Sequence, residues 1–275
     1  MAEINAKDVM SLRNKTGLAM MACKKALMEA DGDVVKAEDL LRKELKGKME
    51  TKMDRAAGEG RIEVAVSGDG RSAVIVELRA ETDFTAKNDK FVAATKKIAE
   101  LALAVPAGST GEPTVDMQAI IDDLRISTGE NISIGRIEKL ESNGDKTVYG
   151  KYVHHDGTTG VLIEAEGEVG EDTLRQIAMH VTAAFPRPLG LTPDDIPEDL
   201  VEKERKFRVE QAVESGKSRE IAEKMVEGGM RKFFAEVALI EQAFVMDPSK
   251  TIKEIVGSGG NLRKFRRWEV GEAAG

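Results

Sequence analysis

Apolar positions run almost unbroken from Ala73 to Leu78 (AVIVEL), and a run this short and dense predicts a buried strand. Beyond Glu81–Asp89 (ETDFTAKND) the spacing changes: Phe91, Thr95, Ile98 and Ala102 fall on one face of an amphipathic helix, with Asp89 as its N-cap. The first 55 residues predict three short helices. Asn5 caps one carrying Val9 and Leu12 that ends before Thr16-Gly17. A second, Ala19–Ala30, has Met20, Cys23, Leu27 and Ala30 along a stripe, and Gly32 and Asp33 serve as C-cap and N-cap before a third with Leu40, Leu41 and Leu45. Met20 and Met21 are neighbours about 100° apart on the helix, so at most one faces the interior, and periodicity favours both being partly buried. Lys43–Arg55 is charged and nearly core-free, a helical or flexible linker. A bundle this small suits docking better than catalysis.

Residues 56–186 contain a duplication. Asp69–Glu77 (DGRSAVIVE) recurs as Asp156–Glu164 (DGTTGVLIE), 87 positions later. An alternating strand precedes each copy (Ile62–Val66 and Val148–Val153), and a helix follows each (Asp89–Ala104 and Asp172–Ala184). A helix at Val115–Thr128 and a strand at Asn131–Leu140 lie between them. Two strand–strand–helix units predict an α+β fold of two related subdomains, each an antiparallel sheet covered on one face by helices. From the Glu ending the aliphatic run to the helical Ile-Ala, the first copy is eight residues longer, and the excess falls across Thr82–Asn88. Taken alone, Phe84 in that loop reads as a staple folded onto its own helix. Because the second copy dispenses with the loop, the reading shifts toward an exposed contact.

Pro186, Pro188, Pro193 and Pro197 predict a stiff, irregular spacer. Glu198–Glu214 and Ser218–Glu227, about the turn Ser215-Gly216-Lys217, predict an antiparallel helical hairpin with Leu200, Phe207, Ile221 and Met225 as its seam. Arg231–Phe244 is richer in apolar residues and is expected to dock back on the core; Thr251–Val256 reads as helix and Leu262–Val270 as a last strand. The resulting division is 1–55, a docking module with linker; 56–140, a first core subdomain; and 141–275, a second core subdomain with the hairpin inserted at about 190–230.

The net charge of −8 argues against a nucleic-acid partner, although residues 1–55, with 12 Lys and Arg against 10 Asp and Glu, depart from it. One cysteine, Cys23, no long apolar span and no signal-peptide apolar region in MAEINAKD predict a cytoplasmic chain without disulfide or membrane segment. Motifs for chemistry on small molecules fail on inspection. The SGKS at 215–218 lacks the leading glycine of a phosphate loop, Gln211 standing in its place, and GSGG at 257–260 lacks the dinucleotide spacing. His154 and His155, adjacent on a strand, would point to opposite faces and could not share a metal. The expectation is a non-enzyme that needs no cofactor.

The stretches RNKTGLAMMACKKALMEADGD (13–33), ETDFTAKND, TGENI (128–132), IAMHV (177–181), VEKER (201–205) and KFFAEVALIEQAFVMDPSKT (232–251), in this order over residues 5 to about 256, resemble bacterial elongation factor Ts. The resemblance implies an N-terminal module similar to ubiquitin-associated domains, a duplicated α+β core and a protruding helical hairpin. It further implies a guanine-nucleotide exchange factor for the GTPase elongation factor Tu, one that binds the GDP-loaded partner, promotes GDP release by disturbing its Mg²⁺ and phosphate site, and stays on the nucleotide-free form until GTP enters. Thr82, Asp83, Phe84 and Thr85 match the family segment that intrudes beside the partner's Mg²⁺. Met20 and Met21 match contacts on the GTPase domain, and His155, with Thr159 and Gly160, matches a surface that meets a β-barrel domain. The hairpin is a candidate surface for a homodimer in the complex. Thr85 and Lys87 stand where Val and often Arg are usual, and Leu18 replaces a small residue in the TGLAMM turn. The competing class is a plain binding module, a chaperone or ribosome-associated factor that uses the three helices and the hairpin as docking surfaces.

Overall fold

The computed structural model describes residues 4–16, 18–50, 52–142, 146–216 and 218–272, the side chains of 45–50 and 109–110 excepted. Asn5 accepts the Lys7 amide (2.9 Å) at the start of α1 (Ala6–Thr16). Helix α2 (Met20–Glu29) turns back through Asp31 and Gly32, both at positive φ, and the Asp33 carboxylate takes the amides of Val35 and Lys36 to begin α3 (Val34–Glu50). Their shared core is Val9, Leu12, Cys23, Ala26, Leu27, Ala37 and Leu41. Two expectations are corrected here. Met20 and Met21 are both exposed, at 46% and 74%. Met20 lies on the stripe of Cys23 and Leu27 but in the first turn of α2, and it is exposed where they are buried. Leu40 is exposed because the buried stripe of α3 runs from Ala37 to Leu41, one i,i+4 step. Gly17 and the Leu45 side chain lie outside the described residues.

The duplicated segment builds two antiparallel sheets. The first contains β1 (Glu59–Val66), β2 (Ser72–Ala80), β3 (Gly108–Thr110) and β4 (Ser133–Glu141) in the order β1-β2-β4-β3. Between its strands come α4 (Asp83–Ala86), α5 (Asp89–Ala102) and α6 (Val115–Thr128). The second has β5 (Thr147–Val153), β6 (Thr159–Gly167), followed by α7 (Glu171–Ala183), and is completed by β9 (Gly260–Glu269), in the order β5-β6-β9. In each sheet the strand carrying the aliphatic repeat is central. Val74, Val76 and Leu78 of β2 face Phe91 and Ile98 of α5 and Met117 and Ile121 of α6, while Ala73 and Ile75 face the other sheet, with Leu162 and Trp268 in the same cluster. Likewise Val161, Ile163 and Ala165 of β6 face α7. The layering is helix, sheet, sheet, helix. A strand buried on both faces is apolar at nearly every position, and so AVIVEL does not alternate; its one polar residue, Glu77, is fully buried and bound to Arg79 and Arg136.

The Pro-rich segment is more structured than a spacer. Leu189 donates its amide to the Val237 carbonyl, and Leu239 and Ile240 donate to Gly190 and Leu191, so 189–191 runs alongside the start of the return to the core. A 3-10 turn, Pro193–Asp195, follows. The hairpin arm is α8 (Glu198–Glu214) and α9 (Arg219–Val237); Lys217 lies outside the described residues. Helix α9 does not stop at Glu227 but continues through Gly228-Gly229. A Cβ on Gly229 would come within 2.9 Å of Arg208 Cδ, so this glycine permits the two helices to approach and does not break one of them. The expected seam is also corrected: Phe207, Ile221 and Met225 are exposed, and Ala212, Val226 and Met230 are buried with Val201, Ala222 and Phe233 against them. After α9 the chain forms β7 (Ala243–Phe244), β8 (Asp247–Thr251) and α10 (Ile252–Val256), and Leu239 and Phe244 pack under α7.

Candidate partner-binding site

The segment between β2 and α5 is one helical turn, where the sequence suggests a loop. Thr82, extended at φ −128°, accepts the Thr85 amide and caps α4. Asn88, and not Asp89, caps α5 by accepting the Lys90 amide at 2.9 Å. Helix α4 rests on β1 and β2. Its four residues divide by direction. Thr85 and Ala86 are buried, and Phe84 stands 84% exposed, a large aromatic ring held out from the rigid end of a central strand. A staple would bury that ring, so the packing reading of Phe84 is excluded. Asp83 is locked to Lys87 at 2.6 Å. Hydrogen bonding and the charge of Lys87 hold the Asp83 carboxyl below its usual range, and Asp83 raises Lys87 in return.

The turn is gripped from the side by Glu130, which follows the left-handed C-cap of α6, Gly129 (φ 74°). Glu130 Oε1 accepts the hydroxyls of Thr82 and Thr85, each at 2.7 Å, and Oε2 accepts the Thr82 amide at 3.2 Å. A valine at position 85 would forgo one of these bonds. Sequence reasoning missed Glu130: TGENI could be quoted, but nothing in the chain order shows that its carboxylate meets residues some 48 positions earlier.

The second element at this end of the molecule is the β5–β6 turn. The Ile62 amide of β1 donates to the Gly157 carbonyl of this turn at 2.8 Å, and α4 rests on the same strand. Strand β5 ends at Val153, so His154 and His155 are not strand neighbours on opposite faces; their rings are 4.2 Å apart in the turn. His154 Nδ1 lies 3.0 Å from Asp156 Oδ2. Burial raises the Asp156 carboxyl, but the Thr158 amide and hydroxyl and the His154 ring outweigh this and bring it down to about 2. His155 is exposed at the tip. Gly160 is not on that surface: it is buried between the sheets, where a Cβ would sit 2.3 Å from Ile62 Cγ2, and Thr159 is buried beside it. Met20 and Met21 stand on α2 of the N-terminal bundle, apart from this turn in the fold.

Nothing in the arrangement supplies a reactive cluster. Among the described residues no three His, Cys, Asp or Glu side chains gather as a metal would require, and no helix is long and apolar enough to cross a membrane. A hollow of about 770 Å³ between β4, β9 and residues 187–191 is lined by Arg136, Arg187, Arg263, Lys264, Arg266 and Arg267. Each of these cations is bound to a carboxylate, Glu77, Glu138, Glu166, Glu269 or Glu272, so the hollow is an ion-paired joint.

Comparison with known proteins gives the class as translation elongation factors. The family described as Elongation factor TS matches residues 81–272. Relatives named Elongation factor Ts include that of Pasteurella multocida, 45% identical over 99% of this chain and 93% of the relative. Those of Hydrogenovibrio crunogenus (43%, 98% and 92%) and Yersinia pestis (42%, 99% and 93%) are similar over nearly their whole lengths. The chain belongs to the elongation factor Ts family.

Proposed function

We propose that this protein is a guanine-nucleotide exchange factor for elongation factor Tu, and that the turn Thr82–Thr85 is its wedge. The observation that carries the reading is Phe84, exposed at the tip of a turn anchored to the central strand of a two-face-buried sheet and lacking a counterpart in the second copy. Mg²⁺ demands near-octahedral geometry and shares ligands with nucleotide phosphates, so a ring and a carboxylate pressed beside the partner's ion weaken ion and GDP together. Such a factor needs no acid or base and no cofactor of its own; it needs a shaped element on a rigid support, placed by contacts elsewhere. Phe84 and Asp83 are the intruding groups, and Thr82 and Thr85 hold them. Met20 and Met21, exposed and conformationally adaptable, dock the 1–55 module on the GTPase domain. His155, at the tip of the turn beside α4, meets the β-barrel domain from the second core subdomain (141–275), while 56–140 carries the wedge. The partner surface is protein, neither nucleic acid nor membrane, and the arm, with Phe207, Val213 and Ile221 exposed, is the candidate surface for a homodimer in the complex.

Exchange is a reciprocal coupling: if the factor weakens GDP, GDP weakens the factor by the same ratio. Gel filtration with nucleotide-free elongation factor Tu should therefore give a stable complex that excess GDP dissociates. A complex indifferent to GDP would identify a plain binding module instead.

A further inference from the structure

A single helical turn cannot hold its own geometry in water, because nucleation fixes several dihedrals for one hydrogen bond. The attitude of Phe84 is therefore set from outside α4, and the structure assigns that task to two consecutive residues. Glu130 grips both sides of Asp83-Phe84 through Thr82 and Thr85. Asn131, buried, donates its backbone amide to Glu81 Oε1 (2.6 Å) at the end of β2, and its Nδ2 to the carbonyls of Met53 (2.9 Å) and Arg55 (2.8 Å). Lys52 Nζ donates to the Gly129 carbonyl at 2.8 Å, and the Arg55 guanidinium reaches Glu81 at 3.5 Å. Residues 129–131 thus form a hub where three parts of the chain meet: the wedge, the central strand beneath it, and the linker descending from the N-terminal helices.

We propose that Glu130 and Asn131 are positioning residues for nucleotide exchange. Glu130 sets the insertion angle of Phe84, and Asn131 fixes the linker at 53–55, so that the N-terminal module and the wedge meet the partner at a set spacing. This rests on the wedge reading above. Each acts through what it holds: Glu130 through Thr82 and Thr85, Asn131 through Glu81 and the carbonyls of Met53 and Arg55. The three bonds to Glu130 are charge-assisted and stronger than neutral ones, and a group held by preorganised contacts loses nothing to reordering when it inserts.

The test uses the full chain with Glu130→Gln and Thr85→Val. The glutamine keeps the size but has one acceptor oxygen in place of two, and the valine removes only a hydroxyl. In the free protein, amide hydrogen exchange at Thr85 and Ala86 should speed up in Glu130→Gln while the β2 and β6 amides stay protected. In GDP release from elongation factor Tu, the maximal rate at saturating factor should fall about tenfold, with the half-saturating concentration unchanged. Thr85→Val should give a smaller loss in the same direction. Placed on Phe84→Ala, Glu130→Gln should cost much less than it does alone, because the ring it aims is gone and only Asp83 is left to position. Asn131→Ala, or Lys52→Met if that buried change unfolds the chain, should raise the half-saturating concentration and spare the maximal rate. The inference is overturned if Glu130→Gln keeps its full maximal rate while Phe84→Ala loses it, if the two losses add, or if the linker variants leave the half-saturating concentration unmoved. Normal exchange by Phe84→Ala defeats the wedge reading itself. The amide exchange then decides the role of Glu130 alone, and unchanged protection at Thr85 and Ala86 refutes it.

Discussion

Truncating Phe84 to alanine separates a functional ring from a packing ring by size of effect. Fully burying such a side chain stabilises a protein by roughly 3 kcal/mol. With 84% of the residue already in water, about a sixth of that is forfeited, so Phe84→Ala should lower stability by about 0.5 kcal/mol or less. A buried aromatic would instead cost about 3 kcal/mol or more. On the proposed wedge reading the same ring enters a pocket of the partner, where an aromatic anchor is commonly worth about 2 kcal/mol or more, which corresponds to a roughly thirtyfold slower catalysed release of GDP. Both quantities are measured on one preparation: a urea midpoint for stability and stopped-flow release of a fluorescent GDP for exchange. A large loss of stability with normal exchange by the folded fraction would refute the reasoning.

Among the described residues Tyr149 Oη is buried without a hydrogen-bond partner, and burial pushes its pKa up to about 12, so Tyr149→Phe should leave the stability read from urea unfolding unchanged or raise it by up to about 1 kcal/mol. His180 takes the Val245 amide on Nδ1 (3.2 Å) and gives its Nε2–H to Gln242 (3.0 Å), so it is neutral, and burial lowers its pKa from 6.5. Below about 6.5 the unfolded chain then binds a proton that the folded chain refuses, and stability should fall between pH 7.5 and 5.5; in His180→Gln that decline should flatten. Excising the arm beyond Val201 and Phe233 and closing it with a short linker removes a satellite cluster and leaves both sheet cores intact, so calorimetry should show one cooperative transition displaced by only about 4 °C or less.

The parts of the fold legible in the sequence are those in which local pattern and burial agree. The two aliphatic runs mark the central strands because both faces of β2 and β6 are covered, and the length difference between copies locates α4. Where a residue's surroundings come from distant segments, pattern misleads. Met20 sits on the apolar stripe of α2 and is still exposed in its first turn, and Gly228-Gly229 resembles a helix stop until Arg208 is seen lying against Gly229. The arm is solvated on most sides, so its apolar residues do not single out the seam, and Ala212 carries it where Phe207 does not. His154 and His155 fall in a turn because β5 ends at Val153, as the alternating pattern Val148–Val153 itself does, and does not extend through them. Of the candidate site, the exposed ring could be argued from chain length alone. Its support could not, since the carboxylate of Glu130 and the amide of Asn131 reach it only after α6 has brought them across the sheet.

The central claim is that the protein releases GDP from elongation factor Tu and turns over. The most direct measurement is the dissociation of labelled GDP from a molar excess of elongation factor Tu, chased with unlabelled GTP, with this protein at a few per cent of the partner. The account predicts that all the label is released, many times faster than without the protein, with each molecule serving many partners in turn. Release at the uncatalysed rate, or a burst limited to the amount of protein added, would contradict it.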